Sequence, residues 1–352
     1  MPKAAIIAIV AACAIVVVFC IGSFALDRHL LAQTYARQPQ VSSPLMLTDA
    51  EIADDYPYED VQFQLDGATL RGHVYGAEND QRGLVIFRHG IFSHHQDYLA
   101  LITALVDRGW KVFAYDAIGC GESDGDSVKG FAQSPLDVHA AVRFARETGL
   151  DGGLPIVLFG HSWGGYGVAG ALDFDDGVAA CVTMSGFDNP LDIIVDSART
   201  QMGPIAATQT PIINLINHLD FGADADRSAS RAINKSGIPV LVIHGTADAV
   251  VDFNRTSIIS KRGEITNPNV VYIEKSEANR DGHNTYFYSH DSQAYLNECA
   301  KAYGELSERY ANDVPASELE AFLQGVDKRR ANTADPELID QIDAFLAGAL
   351  AK

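Results

Sequence analysis

The chain has 352 residues, of which 47% are hydrophobic and 20% are charged, a composition typical of a globular protein and not of a disordered one. Its formal net charge of −20 argues against a nucleic-acid partner, because phosphate binding requires a basic surface, and against electrostatic attraction to anionic lipid headgroups. The five cysteines show no CxxC or metal-type spacing, so we expect neither a disulfide framework nor a zinc site.

The N-terminal segment is the most apolar part of the chain. Residues 4–26 contain no charged side chain, and a helix of this length spans about 35 Å, enough to cross a bilayer core. A signal peptide cleaved near residues 23–25 is the alternative, but its apolar region is usually only about 7 to 15 residues long. We predict a single-pass transmembrane anchor, or an uncleaved signal, over residues 1–26. Positive charges on its two sides are nearly balanced, and we expect the following domain to be extracytoplasmic.

Residues 27–58 are polar and acidic with several prolines, which is typical of a juxtamembrane linker. Residues 59–290 then alternate short β-branched runs with helical patterns such as 97–109 and 134–149. The short runs lack period-two alternation, as expected for strands buried on both faces of a parallel sheet. These runs are residues 60–65, 69–75, 83–88, 111–116, 155–160, 178–184, 239–245 and 270–274. The alternation predicts a doubly wound, mostly parallel eight-stranded α/β sheet with active groups at the carboxyl ends of its strands.

Two segments depart from this alternation. Residues 187–237 contain no strand candidate and are too long for a plain connection, so we predict a helical lid over the site. A second small subdomain without a gating role is the alternative. Residues 291–352 form a predicted helical extension with amphipathic patterns at 294–311, 316–329 and 335–351. This extension would shield the sheet edge, cover the site or bind a protein partner, and the sequence does not decide between these roles.

The segment GHSWG, residues 160–164, matches the pattern G-x-S-x-G between a strand candidate and a helical one. The turn in this motif is so tight that side chains at Gly160 and Gly164 would collide with neighbouring backbone. Ser162 is thereby held in a strained conformation with its hydroxyl projecting from the sheet edge. An ordinary turn is the alternative, and we predict that Ser162 is a catalytic nucleophile.

A serine hydroxyl is a poor nucleophile at neutral pH and requires a base. In this type of turn the acid and the histidine follow the serine in that order along the chain. Asp248 lies just beyond the strand candidate at 239–245, and His283 lies in the loop after the strand candidate at 270–274. We predict that His283 takes the proton of Ser162 and that Asp248 orients His283.

Other residues near these positions offer alternatives. Asp252 is the rival acid, although a surface or capping role fits it better. His290 is the rival base, although it lies further along, at the start of a helical pattern. His244, at the end of a strand candidate, is expected to be a structural residue.

Acyl transfer also requires hydrogen-bond donors for the developing oxyanion, each worth about 3 kcal/mol. We predict the backbone N–H of Trp163, directly after the nucleophile, as one donor. The backbone N–H of Ile91, in the loop after the third strand candidate, is the predicted second donor. Gly90 lets this loop turn tightly, and His89 is expected to brace it through hydrogen bonds.

With these residues the chain resembles the α/β-hydrolase superfamily, in the branch that contains monoacylglycerol lipases, lysophospholipases and serine aminopeptidases. Five motifs occur in the same order, namely HG at 89–90, D-x-x-G-x-G-x-S at 116–123, G-H-S-x-G-G at 160–165, G-x-x-D-x-x-V at 245–251 and GH at 282–283. The resemblance covers roughly residues 60–290. It implies a serine hydrolase that needs no metal and no cofactor, with Ser162, Asp248 and His283 as its triad.

Two features of the chain depart from that family pattern. Family members usually end with one helix soon after the histidine, whereas here the extension of residues 291–352 follows. His94 and His95 also stand next to each other after the HG motif. They have no metal-type spacing, and we interpret them as part of a solvated loop.

The sequence therefore predicts a membrane-anchored serine hydrolase that cleaves carboxylic esters. Lipid or monoacyl esters are favoured as substrates, because the anchor holds the site close to lipid and an apolar lid admits an acyl chain. A serine aminopeptidase acting on short peptides is the first alternative, in which the acidic lid residues Asp220, Asp224 and Asp226 hold the substrate amine. An inactive membrane-bound scaffold that binds a partner through the C-terminal helices is the second.

Overall fold

The computed structural model describes residues 2–38, 43–80 and 82–351. Its strands are β1 (Tyr58–Leu65), β2 (Ala68–Tyr75), β3 (Leu84–Arg88), β4 (Lys111–Tyr115), β5 (Ile156–His161), β6 (Ala180–Met184), β7 (Val240–Gly245) and β8 (Val270–Lys275). They form one sheet in the order β1-β2-β4-β3-β5-β6-β7-β8. β2 pairs antiparallel with β1 and with β4, and the remaining neighbours are parallel. The predicted mostly parallel eight-stranded α/β fold is confirmed.

The α-helices of the described residues are α1 (Lys3–Thr34), α2 (Asp49–Ile52), α3 (Leu99–Val106), α4 (Gln133–Thr148), α5 (Trp163–Ala171), α6 (Pro190–Met202), α7 (Thr210–Phe221), α8 (Ala229–Ser236), α9 (His290–Arg309), α10 (Ala316–Leu323), α11 (Lys328–Ala331) and α12 (Pro336–Leu350). Buried residues of α4, α5 and α8 belong to the hydrophobic core on one face of the sheet. Buried residues of α3 and α12 belong to the core on the other face. Helices therefore cover both faces, which is what a doubly wound sheet requires.

The central strand β3 shows why most positions of the inner strands are apolar. Leu84 and Ile86 pack into the core on one face, and Val85 and Phe87 pack into the core on the other. All four side chains are buried. Because successive side chains of a strand point to opposite faces, a strand covered on both sides favours apolar residues at successive positions. The last residue of β3, Arg88, is a buried exception with a carboxylate partner.

The last helix of the C-terminal extension completes the core. Leu338, Ile339, Ile342 and Leu346 of α12 are buried against the sheet. Burying a side chain of this size contributes about 1.5 to 3 kcal/mol. Asp343, also in α12, accepts the indole N–H of Trp110 at 2.7 Å. This part of the extension is thus an integral layer of the domain.

Helix α1 extends beyond the predicted anchor, and its last turns contact the domain. Among the described residues it is the one helix long and apolar enough to cross a membrane, and its most apolar window has a mean hydropathy of 3.2 with no burial. It ends at Thr34, and Leu31 near that end packs against the core. The Arg37 guanidinium then donates to backbone carbonyls of residues 121, 123 and 125.

The predicted linker is therefore packed on the domain over most of its length. Leu45, Leu47 and Ile52 are buried, and Thr48 caps α2 through a capping box with Glu51. Residues 39–42 lie outside the described part of the chain. These few buried apolar residues were not recognised from the sequence, because the composition of residues 27–58 is mostly polar.

The insertion between β6 and β7 is helical, but it is divided in two. No strand lies within residues 187–237, all of which are described, and α6 and α7 are joined by 3₁₀ turns. Ala232 and Ile233 of α8 are buried in the core beside α5, so α8 belongs to the main body. Only α6, α7 and their turns are left to form a lid.

Candidate active site

The turn after β5 holds Ser162 in a strained backbone conformation. Its φ is +58° and its ψ is −118°, a region that residues other than glycine rarely adopt. Neighbouring backbone leaves no room for a side chain two residues before or two residues after Ser162. A Cβ at Gly160 would lie 2.3 Å from the carbonyl oxygen of Gly164, and one at Gly164 would lie 2.0 Å from that of Arg88. The two glycines are therefore a steric requirement of the turn.

Because of this clash, Gly164→Ala is expected to destabilise the fold by about 3 kcal/mol or more, since the atoms in the way belong to backbone and cannot rotate aside. The matched control is Gly304→Ala in α9, where an added Cβ meets nothing within 4 Å and alanine should stabilise the helix by about 1 kcal/mol. Urea unfolding followed by circular dichroism measures both changes. Equal stability of the two variants would contradict this account of the turn.

Asp248 and His283 meet at the carboxyl ends of β7 and β8. The Nδ1 of His283 lies 2.8 Å from Oδ2 of Asp248. The other carboxylate oxygen accepts the backbone N–H groups of Val250 and Val251, at 2.8 and 2.9 Å. Burial raises the pKa of Asp248, but hydrogen bonds from His244 and His283 outweigh it, so the pKa lies well below its usual value. A carboxylate held in this way stays ionised and orients the ring that faces it.

The two rivals lie apart from this contact. Asp252 pairs with Arg255 at 3.1 Å and also accepts the backbone N–H of Asn254. His290 is largely exposed at the first turn of α9 and faces Glu277. In the structure these two residues have surface and capping partners, in line with the preference stated from the sequence.

His244 is buried beside the predicted acid. Its Nε2 lies 3.2 Å from Oδ2 of Asp248 and 3.0 Å from the carbonyl oxygen of Val251. From its position at the end of β7, His244 was expected to be a structural residue, and its contact with Asp248 was not predicted. Two histidines therefore face one carboxylate oxygen, and its negative charge is shared between them.

The loop after β3 is braced as expected. The Nε2 of His89 accepts the backbone N–H of Ala117 at 2.9 Å, so its Nδ1 carries the proton and donates to the carbonyl oxygen of Gly90 at 2.6 Å. Burial lowers the pKa of His89 well below its ordinary value, which keeps the ring neutral. The predicted donor Ile91 and the nucleophile candidate Ser162 line the same cavities.

Sequence reasoning missed two residues that support the site. The Tyr98 hydroxyl accepts the backbone N–H of Gly90 at 3.0 Å and lies 2.8 Å from Nδ1 of His161. The Nε2 of His161 lies 3.1 Å from the carbonyl oxygen of His283. These contacts connect the loop after β3 with the loop of His283. His161 stands directly before the serine in the motif, whereas nothing in the sequence singled out Tyr98.

Comparisons with known proteins concern the fold of the chain. The sequence profile of a family described as serine aminopeptidase, S33, matches residues 79–192. An esterase from Pyrococcus furiosus, Pf2001, superposes with a TM-score of 0.55 at 20% identity, covering 78% of this chain and 98% of that one. The chain has the α/β-hydrolase fold. The resemblance to the α/β-hydrolase superfamily, predicted from the motifs, is confirmed.

Two curated relatives of this chain extend the comparison. An uncharacterized protein from Salmonella typhi, YfhR, is 30% identical over 193 residues, or 53% of this chain. That alignment spans 62% of YfhR. A putative esterase from Bacillus subtilis, YitV, is 27% identical over 215 residues, which cover 55% of this chain and 81% of that protein. The chain thus aligns with less than two thirds of YfhR, while YitV is described as a putative esterase and the structural neighbour as an esterase.

A largely apolar cavity of about 450 Å³ opens at Ser162. Ile193 and Ile194 of α6 and Ile213 of α7, in the insertion between β6 and β7, line this cavity. Leu30 and Leu31, near the end of α1, line it as well. The serine candidate and the end of the apolar N-terminal helix therefore border the same cavity.

A second cavity, of about 420 Å³, shares Ile91, Phe92 and Ser162 with the first and also includes His283. Gln293 and Leu296 of α9 also line it. The C-terminal extension thus contributes to the surroundings of Ser162. Of the roles left open by the sequence, covering the site fits α9. Helix α12 instead packs into the core on one face of the sheet, a position outside those roles.

The interpretation of His94 and His95 as part of a solvated loop is wrong. Their side chains are 2% and 1% exposed. The segment folds into a 3₁₀ turn over His95–Tyr98, and the Asp116 carboxylate accepts both the backbone N–H and the Nδ1–H of His95. Asp116 begins the D-x-x-G-x-G-x-S motif, so the two motifs meet inside the protein. Their distance of 21 residues along the chain concealed this contact.

Proposed function

We propose that this chain is a membrane-anchored serine hydrolase that cleaves carboxylic esters through an acyl-enzyme on Ser162. The observation that carries the proposal is the position of Ser162, held at positive φ in a cavity that also contains His283, which is itself hydrogen-bonded to Asp248. The esterase neighbours support the same reaction class. Helix α1 supports the anchor through its length and apolar composition.

The proposed reaction begins with attack of the Ser162 hydroxyl oxygen on the ester carbonyl carbon. His283 donates its Nδ1–H to Asp248, which leaves its Nε2 as the atom that accepts the serine proton. Asp248 holds the ring in this tautomer and stabilises the imidazolium that forms. The backbone N–H groups of Ile91 and Trp163 are proposed to stabilise the oxyanion.

Collapse of the tetrahedral intermediate breaks the ester C–O bond and leaves the acyl group on Ser162. The departing alkoxide takes the proton from His283, so the ring is neutral again. A water molecule then attacks the acyl carbon while His283 accepts its proton, and the second collapse releases a carboxylic acid and restores the Ser162 hydroxyl. Each proton that His283 accepts is returned, first to the leaving alcohol and then to Ser162.

We further propose that the substrate is a lipid or monoacyl ester, and that its acyl chain occupies the apolar cavity. Lid isoleucines and leucines at the end of α1 line this cavity, and burial of each methylene contributes about 0.8 kcal/mol. An acyl chain leaving the bilayer would therefore meet apolar side chains along its path to Ser162.

Filling the cavity tests this substrate class. Ile194→Trp on α6 is expected to reduce kcat/KM for long-chain monoacyl esters at least about 10-fold while leaving acetyl esters nearly unchanged, because loss of two or more buried methylenes costs that much. Ile205→Trp, on an exposed lid turn outside the cavity lining, is the matched control. The measurement is a chain-length series of acyl esters in detergent. A wild-type preference for acetyl over long chains would contradict the lipid assignment.

An aminopeptidase is the second candidate, favoured by the description of the matching family. Such an enzyme needs unpaired carboxylates near the serine to bind a free amine. The acidic lid residues instead have cationic or histidine partners: Asp220 pairs with Arg28, Asp224 with Arg227, and Asp226 with His218. Hydrolysis of amino-acyl arylamides with no hydrolysis of acyl esters would establish this candidate over the esterase.

A further inference from the structure

A cluster of buried polar side chains lies apart from the serine, where three segments of the chain meet. Asp49 comes from α2, His73 from β2 and His95 from the turn after β3. All three side chains are buried. Oδ2 of Asp49 lies 3.1 Å from Nδ1 of His73 and 3.1 Å from Nε2 of His95, and the two ring nitrogens lie 3.2 Å apart. Three possible ligand atoms therefore surround one point.

The remaining polar atoms of this cluster are oriented by outer partners. Nδ1 of His95 donates to Asp116 at 2.8 Å, which leaves its Nε2 facing the centre. Nε2 of His73 lies 3.2 Å from the exposed carboxylate of Asp60, which leaves its Nδ1 facing the same centre. The second oxygen of Asp49 accepts the Tyr75 hydroxyl. Metal-binding histidines are typically fixed in this way, with the outer ring nitrogen donating to a carboxylate.

The cluster also requires positive charge. Asp49 and Asp116 are both buried, and His95 lies between them within hydrogen-bond distance of each carboxylate. Buried carboxylates are costly unless they are hydrogen-bonded or paired with positive charge, and two histidine nitrogens converge on this centre. That centre holds either a proton on His95 or a cation between the three ligand atoms.

We propose that Asp49, His73 and His95 bind a divalent transition metal ion, for which Zn²⁺ is the best fit. Tetrahedral zinc with bonds of about 2.0 to 2.1 Å separates its ligand atoms by roughly 3.3 Å, close to the separations found here. Two imidazoles and one carboxylate are borderline ligands that suit zinc better than calcium or magnesium. A water molecule would complete the four ligands. The His73 side chain is only 10% exposed, but its Nε2 faces the exposed carboxylate of Asp60, so an ion would enter from that side.

The proposed ion is structural and goes beyond the esterase reaction. It would join α2 before β1, strand β2 within the sheet and the turn that follows the loop of Ile91. His95 lies four residues after the predicted oxyanion donor Ile91, so the ion would stiffen the chain close to the site. None of its ligands lines either of the two cavities described above that contain Ser162.

Metal binding by the full chain tests this proposal directly. Protein purified in detergent without a polyhistidine tag is treated with a chelator and titrated with Zn²⁺ by calorimetry and with Co²⁺ by visible absorption. We expect a single ion per chain and the intense visible bands of four-coordinate Co²⁺. Asp49→Asn and His73→Gln should weaken binding at least about 100-fold, and Asp60→Asn about 10-fold, because outer partners alone contribute about 10-fold to 100-fold.

His139→Gln is the matched control, because His139 pairs with Asp176 outside the cluster. It should bind Zn²⁺ like the wild type, and circular dichroism checks that each variant is folded. The absence of metal binding by the wild type would overturn the proposal and assign the positive charge to a proton on His95. Equal affinity in the folded Asp49→Asn and His73→Gln variants would also overturn it. Labelling of Ser162 by a fluorophosphonate reports on the proposed hydrolase separately.

Discussion

Replacing Ser162 by alanine is expected to lower kcat for acyl-ester hydrolysis about 10⁴-fold to 10⁶-fold and to abolish labelling by a fluorophosphonate probe. The physical reason is that the proposed reaction loses the oxygen that forms the acyl-enzyme, while the rest of the site keeps its shape. Alanine removes only the hydroxyl, and the strained backbone at this position tolerates a Cβ already. The measurement is steady-state hydrolysis of acyl esters together with gel detection of the labelled protein.

Ser197→Ala provides a matched control for this experiment. Ser197 lies on α6 and lines the same apolar cavity, but it is exposed and has no place in the proposed reaction. It should retain labelling and nearly all activity. An unlabelled wild-type protein, or a Ser162→Ala variant that keeps its label, would rule out the proposed nucleophile.

Asp248→Asn is expected to lower kcat about 10³-fold to 10⁴-fold. Asparagine keeps the size of the side chain but removes the charge that stabilises the His283 imidazolium and fixes its tautomer. The Nδ1 of His283 would then face an amide at the position of a carboxylate oxygen, 2.8 Å away. Hydrolysis rates of the variant and the wild type, measured with one monoacyl ester, give the ratio.

The matched control for Asp248→Asn is Asp252→Asn, the same change at the rival position four residues away. Because Asp252 pairs with Arg255 in the structure, its loss should change kcat less than about 3-fold. A larger effect at Asp252 than at Asp248 would transfer the role of the acid to Asp252 and contradict the proposed triad.

The dependence of stability on pH offers a second measurement on the Asp248→Asn variant. The pKa of Asp248 is lowered in the folded state, so its contribution to stability is complete above the usual value of 3.8 and is lost as the pH falls through the lower folded value. The difference in unfolding free energy between wild type and Asp248→Asn should therefore be largest near pH 7 and shrink below about pH 4. A difference that does not change with pH would contradict the assigned direction of the pKa.

Much of the fold could be predicted because its determinants are local. A strand covered on both faces favours apolar residues at successive positions, so runs such as residues 84–87 were recognisable from the sequence alone. The glycines around Ser162 were recognisable for a similar reason, since their clashes involve the turn itself and the strand beside it. The same reasoning failed for residues 27–58, where a few buried side chains anchor a segment of polar composition.

The choice between neighbouring candidates required long-range contacts. Asp248 and Asp252 are equivalent in type and nearly so in position, and only the packing of the loops after β7 and β8 places one of them 2.8 Å from His283. His95 gave no signal along the chain, because its partners Asp49 and Asp116 come from segments 46 and 21 residues away. Spacing rules for metal ligands detect neighbours on one helix or turn. The proposed ligands Asp49, His73 and His95 come from three different elements.

The sequence by itself therefore determined the sheet, the apolar N-terminal helix and the strained turn at Ser162, because each depends on interactions within a few residues or on one repeated pattern. Only the tertiary structure decided which acid faces which histidine, that α9 and α12 have different roles, and that His94 and His95 are buried. Those outcomes depend on how distant segments pack, and burial changes the surroundings and charge of a side chain in ways that its neighbours along the chain do not reveal.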